Sequence, residues 1–115
     1  MFIFEELNVY KEALNFVDVE YEGTKKWPQD ERFGLVDQYR RAGSSIVLNI
    51  AEGSSRTKKD FGHFLGMARG SCYECVAITQ IARSRKLLSY EEYGKHYARL
   101  EMLSKMITAL KKTLL

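Results

Sequence analysis

The chain has 115 residues, one proline, two cysteines and a net charge of +3. That length makes one domain over residues 1–115, able to bury a core without disulfides or a metal. No apolar run approaches the ~20 residues a bilayer span needs, and no secretory leader pattern opens the chain, so the cytoplasm is the expected compartment.

The scarcity of turn signals argues against a many-stranded sheet. A first helix is expected over about residues 5–22, with Leu7, Tyr10, Ala13, Leu14 and Val17 inward. Gly23 to Asp30 breaks it, because Pro28 cannot continue a helix, and Asp30 is the expected cap of the next. The second helix reads from about Glu31 to Gly53. Val36, Tyr39, Gly43, Ile46, Val47 and Ile50 form its apolar stripe at a 3.6-residue period. A second line of Gln38, Arg41, Ser45, Leu48, Asn49 and Glu52 runs beside it, which suggests a second neighbour. Gly53 is the natural stop.

Thr57 is expected to cap a third helix over about Lys58–Leu87, with Phe61, Phe64, Leu65, Ala68, Cys72, Cys75, Ile78 and Ala82 inward. Ser89, with Glu92 three residues on, caps a fourth helix carrying Tyr93, Tyr97, Leu100, Leu103, Ile107, Leu110 and Leu114. Four amphipathic helices with short connections predict an all-α, antiparallel up-and-down four-helix bundle.

Charge is unevenly spread. Residues 1–39 hold four basic and nine acidic residues, residues 40–86 nine basic and three acidic, and residues 87–115 five basic and three acidic. The basic middle is a candidate for phosphate contact. Its candidate nucleic-acid residues are Arg40, Arg41, Arg56, Lys58, Lys59 and Arg69, read as a cluster at the second connection, with Arg83, Arg85 and Lys86 at the far end of the third helix. Two other readings stay open: the acidic first segment of one subunit meeting the basic segment of the next, and an ordinary solvated surface.

Cys72 and Cys75 form a CxxC pattern inside a helix on its apolar stripe, which reads as buried structural cysteine. His63 and His96 lack a nucleophile or orienting partner and read as surface or boundary residues. Glu52 and Glu74 are the carboxylates expected near packed surfaces. No nucleotide-binding loop, metalloprotease or hydrolase motif occurs, so neither an enzyme nor a cofactor or metal is expected. Gly62, Gly66 and Gly70 recur on one face of the third helix, each costing about 0.5–1 kcal/mol relative to Ala. The repetition suggests a closely approaching backbone. With Tyr73 and the second line of helix two (Arg41, Ser45, Leu48, Asn49, Glu52), these glycines are the candidate subunit interface.

Trp27-Pro28, Glu31-Arg-Phe-Gly-Leu35, Gln38-Tyr-Arg-Arg-Ala42, Ser45-Ile46, Asn49-Ile-Ala-Glu-Gly53 and Arg56 resemble the 23S rRNA intervening-sequence proteins. Phe4, Leu7, Val9, Tyr10, Ala13 and Leu14 fit the opening of that pattern, and Phe61, Phe64-Leu65, Ala68, Gly70-Ser71 and Glu74 fit its third helix. Val47 departs from it, since many members carry proline there. The resemblance implies a bacterial four-helix bundle assembled into a ring, typically a homopentamer. Some members are encoded within inserts in 23S rRNA genes. Similar accessory proteins of diversity-generating retroelements bind nucleic acid and assist a reverse transcriptase. The expected function is therefore non-enzymatic association with RNA or DNA through a basic surface. The alternative is a protein-interaction scaffold for a partner enzyme such as a reverse transcriptase. No membrane partner is expected.

Overall fold

Four helices carry nearly all of the apolar pattern in the computed structural model, which describes all 115 residues. They are α1 (Asn8–Thr24), α2 (Asp37–Gly53), α3 (Lys58–Ser84) and α4 (Tyr90–Lys112), with no strand. Packing runs α1 to α2, α2 to α3, α3 to α4 and α4 back to α1, around one core.

The helix ends follow local chemistry. Thr57 Oγ1 accepts the Asp60 backbone N–H at 3.2 Å. At α4, Ser89 Oγ accepts the Glu92 N–H at 3.0 Å while Glu92 accepts the Ser89 N–H at 2.9 Å, a reciprocal box that satisfies two free donors of the first turn. The expected Asp30 cap does not form. A 3-10 turn (Gln29–Glu31) and a π turn (Arg32–Val36) lead into α2 instead, leaving Phe33 91% exposed and Val36 buried. α3 ends at Ser84, three residues earlier than expected. There Lys86 takes a left-handed backbone with φ 64, and the Leu87 N–H reaches back to the Ala82 carbonyl at 2.8 Å, as in a Schellman ending.

The stripe expected for α2 is buried throughout, and Leu65, Ala68, Cys72, Cys75, Ile78 and Ala82 of α3 join it. Of the residues expected inward on the first helix, Ala13 is buried and Leu7, Tyr10 and Val17 pack partly buried against the core, but the centre of the buried face of α1 is shifted. Its buried line is Val9, Ala13, Phe16, Glu20 and Thr24, while Leu14 is 46% exposed. The bulk of Phe16 outweighs Leu14 because it fills the centre, against the rings of Tyr39 and His96.

Gly53 closes α2 without a positive φ, and its missing side chain makes room for α3. A Cβ there would stand 2.6 Å from Phe64 Cβ and 2.9 Å from Phe61 Cδ1. The glycine line of α3 is different. A Cβ on Gly62 or Gly70 would meet nothing within 4 Å, and one on Gly66 only the end of Lys111, at 3.2 Å. No backbone of the same chain approaches that face.

Candidate nucleic-acid interface and the polar core

The basic residues separate into three groups. Arg40 and Arg41 sit in the first half of α2, roughly 18 Å along the helix from Gly53 at 1.5 Å per residue. They do not join the second connection, contrary to the sequence-based expectation. Arg40 is committed to its own chain: its Nε donates to Thr24 Oγ1 at 3.0 Å and its guanidinium covers the Tyr21 ring at 4.3 Å. Arg41 pairs with Asp37 at 3.0 Å, one turn away.

Arg83, Arg85 and Lys86 lie at the end of α3. Arg83 is half-buried, donates to the Leu88 carbonyl at 3.4 Å and lies 6.0 Å from the Tyr90 ring centroid. Arg85 pairs with Glu31 at 3.3 Å. Nearby, Lys26 pairs with Glu92 at 2.6 Å. The hydrogen bonds of Lys26 and Ser89 hold the Glu92 carboxyl down at about 2. At this end Arg85 and Lys26 are thus engaged by carboxylates, while Arg83 and Lys86 form no ion pair.

The third group is unpaired. Lys58, Lys59 and His63 from the start of α3 share a cleft with Lys111 from the end of α4. An adjoining cleft continues through Lys111 and Lys112 to Arg69 and Tyr73. Arg69 donates to Tyr73 Oη at 2.8 Å and meets no carboxylate; the four lysines form no ion pair either, whereas nearby Arg56 pairs with Glu52 at 3.3 Å. Lys111 and Lys112 were not among the sequence candidates. Their signal was present as cations in the last turn of a helix, but only the α3–α4 packing brings them to Lys58 and Lys59.

The residues read as a subunit interface also divide. Asn49 donates to the Ser45 carbonyl and Oγ at 2.9 and 3.0 Å, and Ser71 donates to Ser45 Oγ at 2.9 Å. This network ties α2 to α3 within one chain. Leu48 and Tyr73 stay 64% and 57% exposed.

Buried polar chemistry sits elsewhere than expected. Glu52 and Glu74 are exposed, and the enclosed carboxylate is Glu20, at 0% exposure. Burial pushes its carboxyl up to about 9 against the opposing pull of Arg40, so it is neutral at physiological pH. Cys75 Sγ lies 4.0 Å from its Oε2, and Oε1 has no partner. His96 is likewise buried, not a boundary residue: its Nδ1 lies 2.7 Å from Tyr39 Oη, which also meets Thr79 Oγ1 at 3.1 Å. Burial lowers the imidazole from its ordinary range. Cys72 and Cys75 are free and fully buried, with both thiols raised chiefly by burial. That is the reverse of what thiolate chemistry needs. No three metal-ligating side chains converge.

Fold and site define a small all-α domain whose polar chemistry is either locked neutral in the core or displayed as surface lysine and arginine. No helix is long and apolar enough to cross a membrane. The chain belongs to the 23S rRNA-intervening sequence protein family, whose model matches residues 5–109. A solved structure from Bacteroides thetaiotaomicron VPI-5482, a protein of unknown function from the S23 ribosomal protein family, is similar over 90% of this chain and 95% of its own, with a TM-score of 0.82 and 20% sequence identity. At that identity the likeness concerns the fold. No curated protein matches the chain.

Proposed function

We propose that this chain is a non-enzymatic, antiparallel up-and-down bundle that assembles into a ring of copies, five by analogy with its family, and associates with RNA or DNA in the bacterial cytoplasm. The surface we assign is the meeting of the start of α3 with the end of α4. The observation that carries the reading is the unpaired set Lys58, Lys59, Arg69, Lys111 and Lys112 lining two adjoining clefts. Cations already engaged by carboxylates must break those pairs to bind phosphate; these need not. Repetition around a ring multiplies a modest charge by multivalency.

Binding is expected to show little sequence preference and to weaken steeply with salt, with a logarithmic slope of about −0.9 per phosphate neutralised on duplex DNA. Fluorescence anisotropy with a structured RNA and a duplex DNA measures it. Lys58→Glu with Lys59→Glu should weaken binding across all sequences and flatten the slope. Arg85→Glu, which removes a cation already paired with Glu31, should change it little. A wild-type protein that shifts neither probe at low salt would favour the scaffold role.

A further inference from the structure

We propose that the N-terminal turn of one copy docks in the groove between α3 and α4 of the next. This rests on the assembly half of the function proposed above and goes beyond it by naming both surfaces of the contact.

The donor surface is an ordered apolar hook. Ile3–Glu6 forms a 3-10 turn, pinned by the Phe2 N–H donating to Glu5 Oε1 at 2.9 Å and by Phe4 packing on Tyr10 at 4.8 Å between centroids. Yet Phe2 and Ile3 are 71% and 73% exposed. Large apolar side chains on a fixed turn lose little conformational freedom on docking, which favours association. Glu5 and Glu6 stand beside them, and neither forms an ion pair.

The acceptor is a groove of ≈ 820 Å³ with an apolar floor that includes Val76 and Leu100, aromatic walls at Tyr73 and Tyr97, and Lys105 on its rim. Arg69 and Lys112, which the groove shares with the basic cleft, also border it, against one acidic side chain, Glu101; Lys58, Lys59 and Lys111 lie outside it and stay free for phosphate. Apolar hook meets apolar floor, and acidic flank meets basic rim. The two complementarities reinforce each other and fix orientation. The hook packs on α1 of its own chain and none of its residues lines the groove between α3 and α4, so the occupant we assign to that groove is the hook of another copy. A contact between two different patches is heterologous, the type that closes into rings or runs on as a filament.

The test is mass by light scattering on the full chain across a dilution series, with circular dichroism confirming helicity. Phe2→Asp with Ile3→Asp removes the hook. Ala77→Glu blocks the groove from an exposed position that leaves the core untouched. Each should shift dissociation to at least about tenfold higher concentration. Glu6→Lys and Lys105→Glu should each weaken assembly, and the two together should restore it. Variants that keep the wild-type mass at every concentration would overturn the contact while leaving assembly standing. A monomeric wild type would overturn both. If Ala77→Glu loses RNA binding with its mass unchanged, nucleic acid and not a second copy occupies the groove.

Discussion

Glu20 of α1 lies directly over the backbone of Gly43 in α2: a Cβ at position 43 would stand 2.6 Å from Glu20 Oε2 and closer still to Oε1. The missing side chain of one residue is the space that holds the other. Glu20 also leans toward Cys75 and feels Arg40, so α1, α2 and α3 are keyed together at one point.

Gly43→Ala should therefore destabilise the fold. The methyl gains about 1 kcal/mol of helix propensity, but overpacking a filled core costs about 1–3 kcal/mol, and the carboxyl it meets is fully buried. Urea denaturation gives the difference. Combined with Glu20→Ala, which vacates the space, Gly43→Ala should become far milder, a coupling that a double-mutant cycle reads directly. Additive effects would show that the two side chains do not compete for the same volume.

The buried carboxyl also sets a pH dependence. Its pKa in the folded protein, about 9, lies above the ordinary 4.5, so folding favours the protonated form. The stabilisation is complete below about pH 4.5 and is lost as pH rises through about 9, at up to about 1.4 kcal/mol per pH unit within that window. Melting temperature should fall from pH 5 to 9 in the wild type. Glu20→Gln, which keeps the shape but cannot ionise, should flatten that fall. An unchanged slope in the variant would assign the effect to other groups.

Tyr39→Phe removes a hydroxyl that serves both His96 Nδ1 and Thr79 Oγ1. Thr79 retains its bond to the Cys75 carbonyl at 2.6 Å, so His96 is left as the uncompensated group. The cost should be about 1–3 kcal/mol. The imidazole is held below its ordinary pKa, so its contribution is present above the ordinary range near 6.5 and declines as pH falls through the lower folded value. Thermal melts should show the Phe variant destabilised at pH 7. NMR titration of the wild type should show His96 protonating only below the ordinary imidazole range.

Gly53 and Gly66 should respond oppositely to alanine. Gly66→Ala meets only the flexible end of Lys111 and should stabilise the isolated chain by about 0.5–1 kcal/mol. Gly53→Ala runs into Phe64 and Phe61 and should lower the melting temperature. Should Gly66→Leu leave the monomer's stability intact but lower the assembled mass, the glycine face is covered by another subunit.

The α2 stripe was legible because every apolar position, with Gly43, obeyed one period and was buried. Thr57 and Ser89 were legible because capping is local chemistry. Glu20 was hidden by its company: it stands between Asp18 and Glu22 in an acidic stretch and looks solvated. Its signal lay in spacing, since Val9, Ala13, Phe16 and Glu20 share one helical face, and Gly43 was the matching vacancy on α2. His96 likewise stands one turn before Leu100 on the inward line of α4. The basic clefts were only half legible, because Lys58–Lys59 and Lys111–Lys112 are far apart in sequence and meet only through packing. The glycine line was legible as a repeated cost on one face, which implies a neighbour; within this chain that face is open.

Cys72 and Cys75 give the molecule a built-in reporter. Both thiols are at 0% exposure and raised above their ordinary pKa, Cys72 to about 12. An alkylating reagent at neutral pH can modify them only after the core opens. They stand on adjacent turns of one helix yet face different neighbours, Cys72 beneath the α3–α4 groove and Cys75 beside Glu20. Mass spectrometry of partly alkylated protein thus distinguishes two routes of breathing. Singly tagged species accumulate when α4 peels away alone, and doubly tagged species appear from the outset when α3 leaves as a unit.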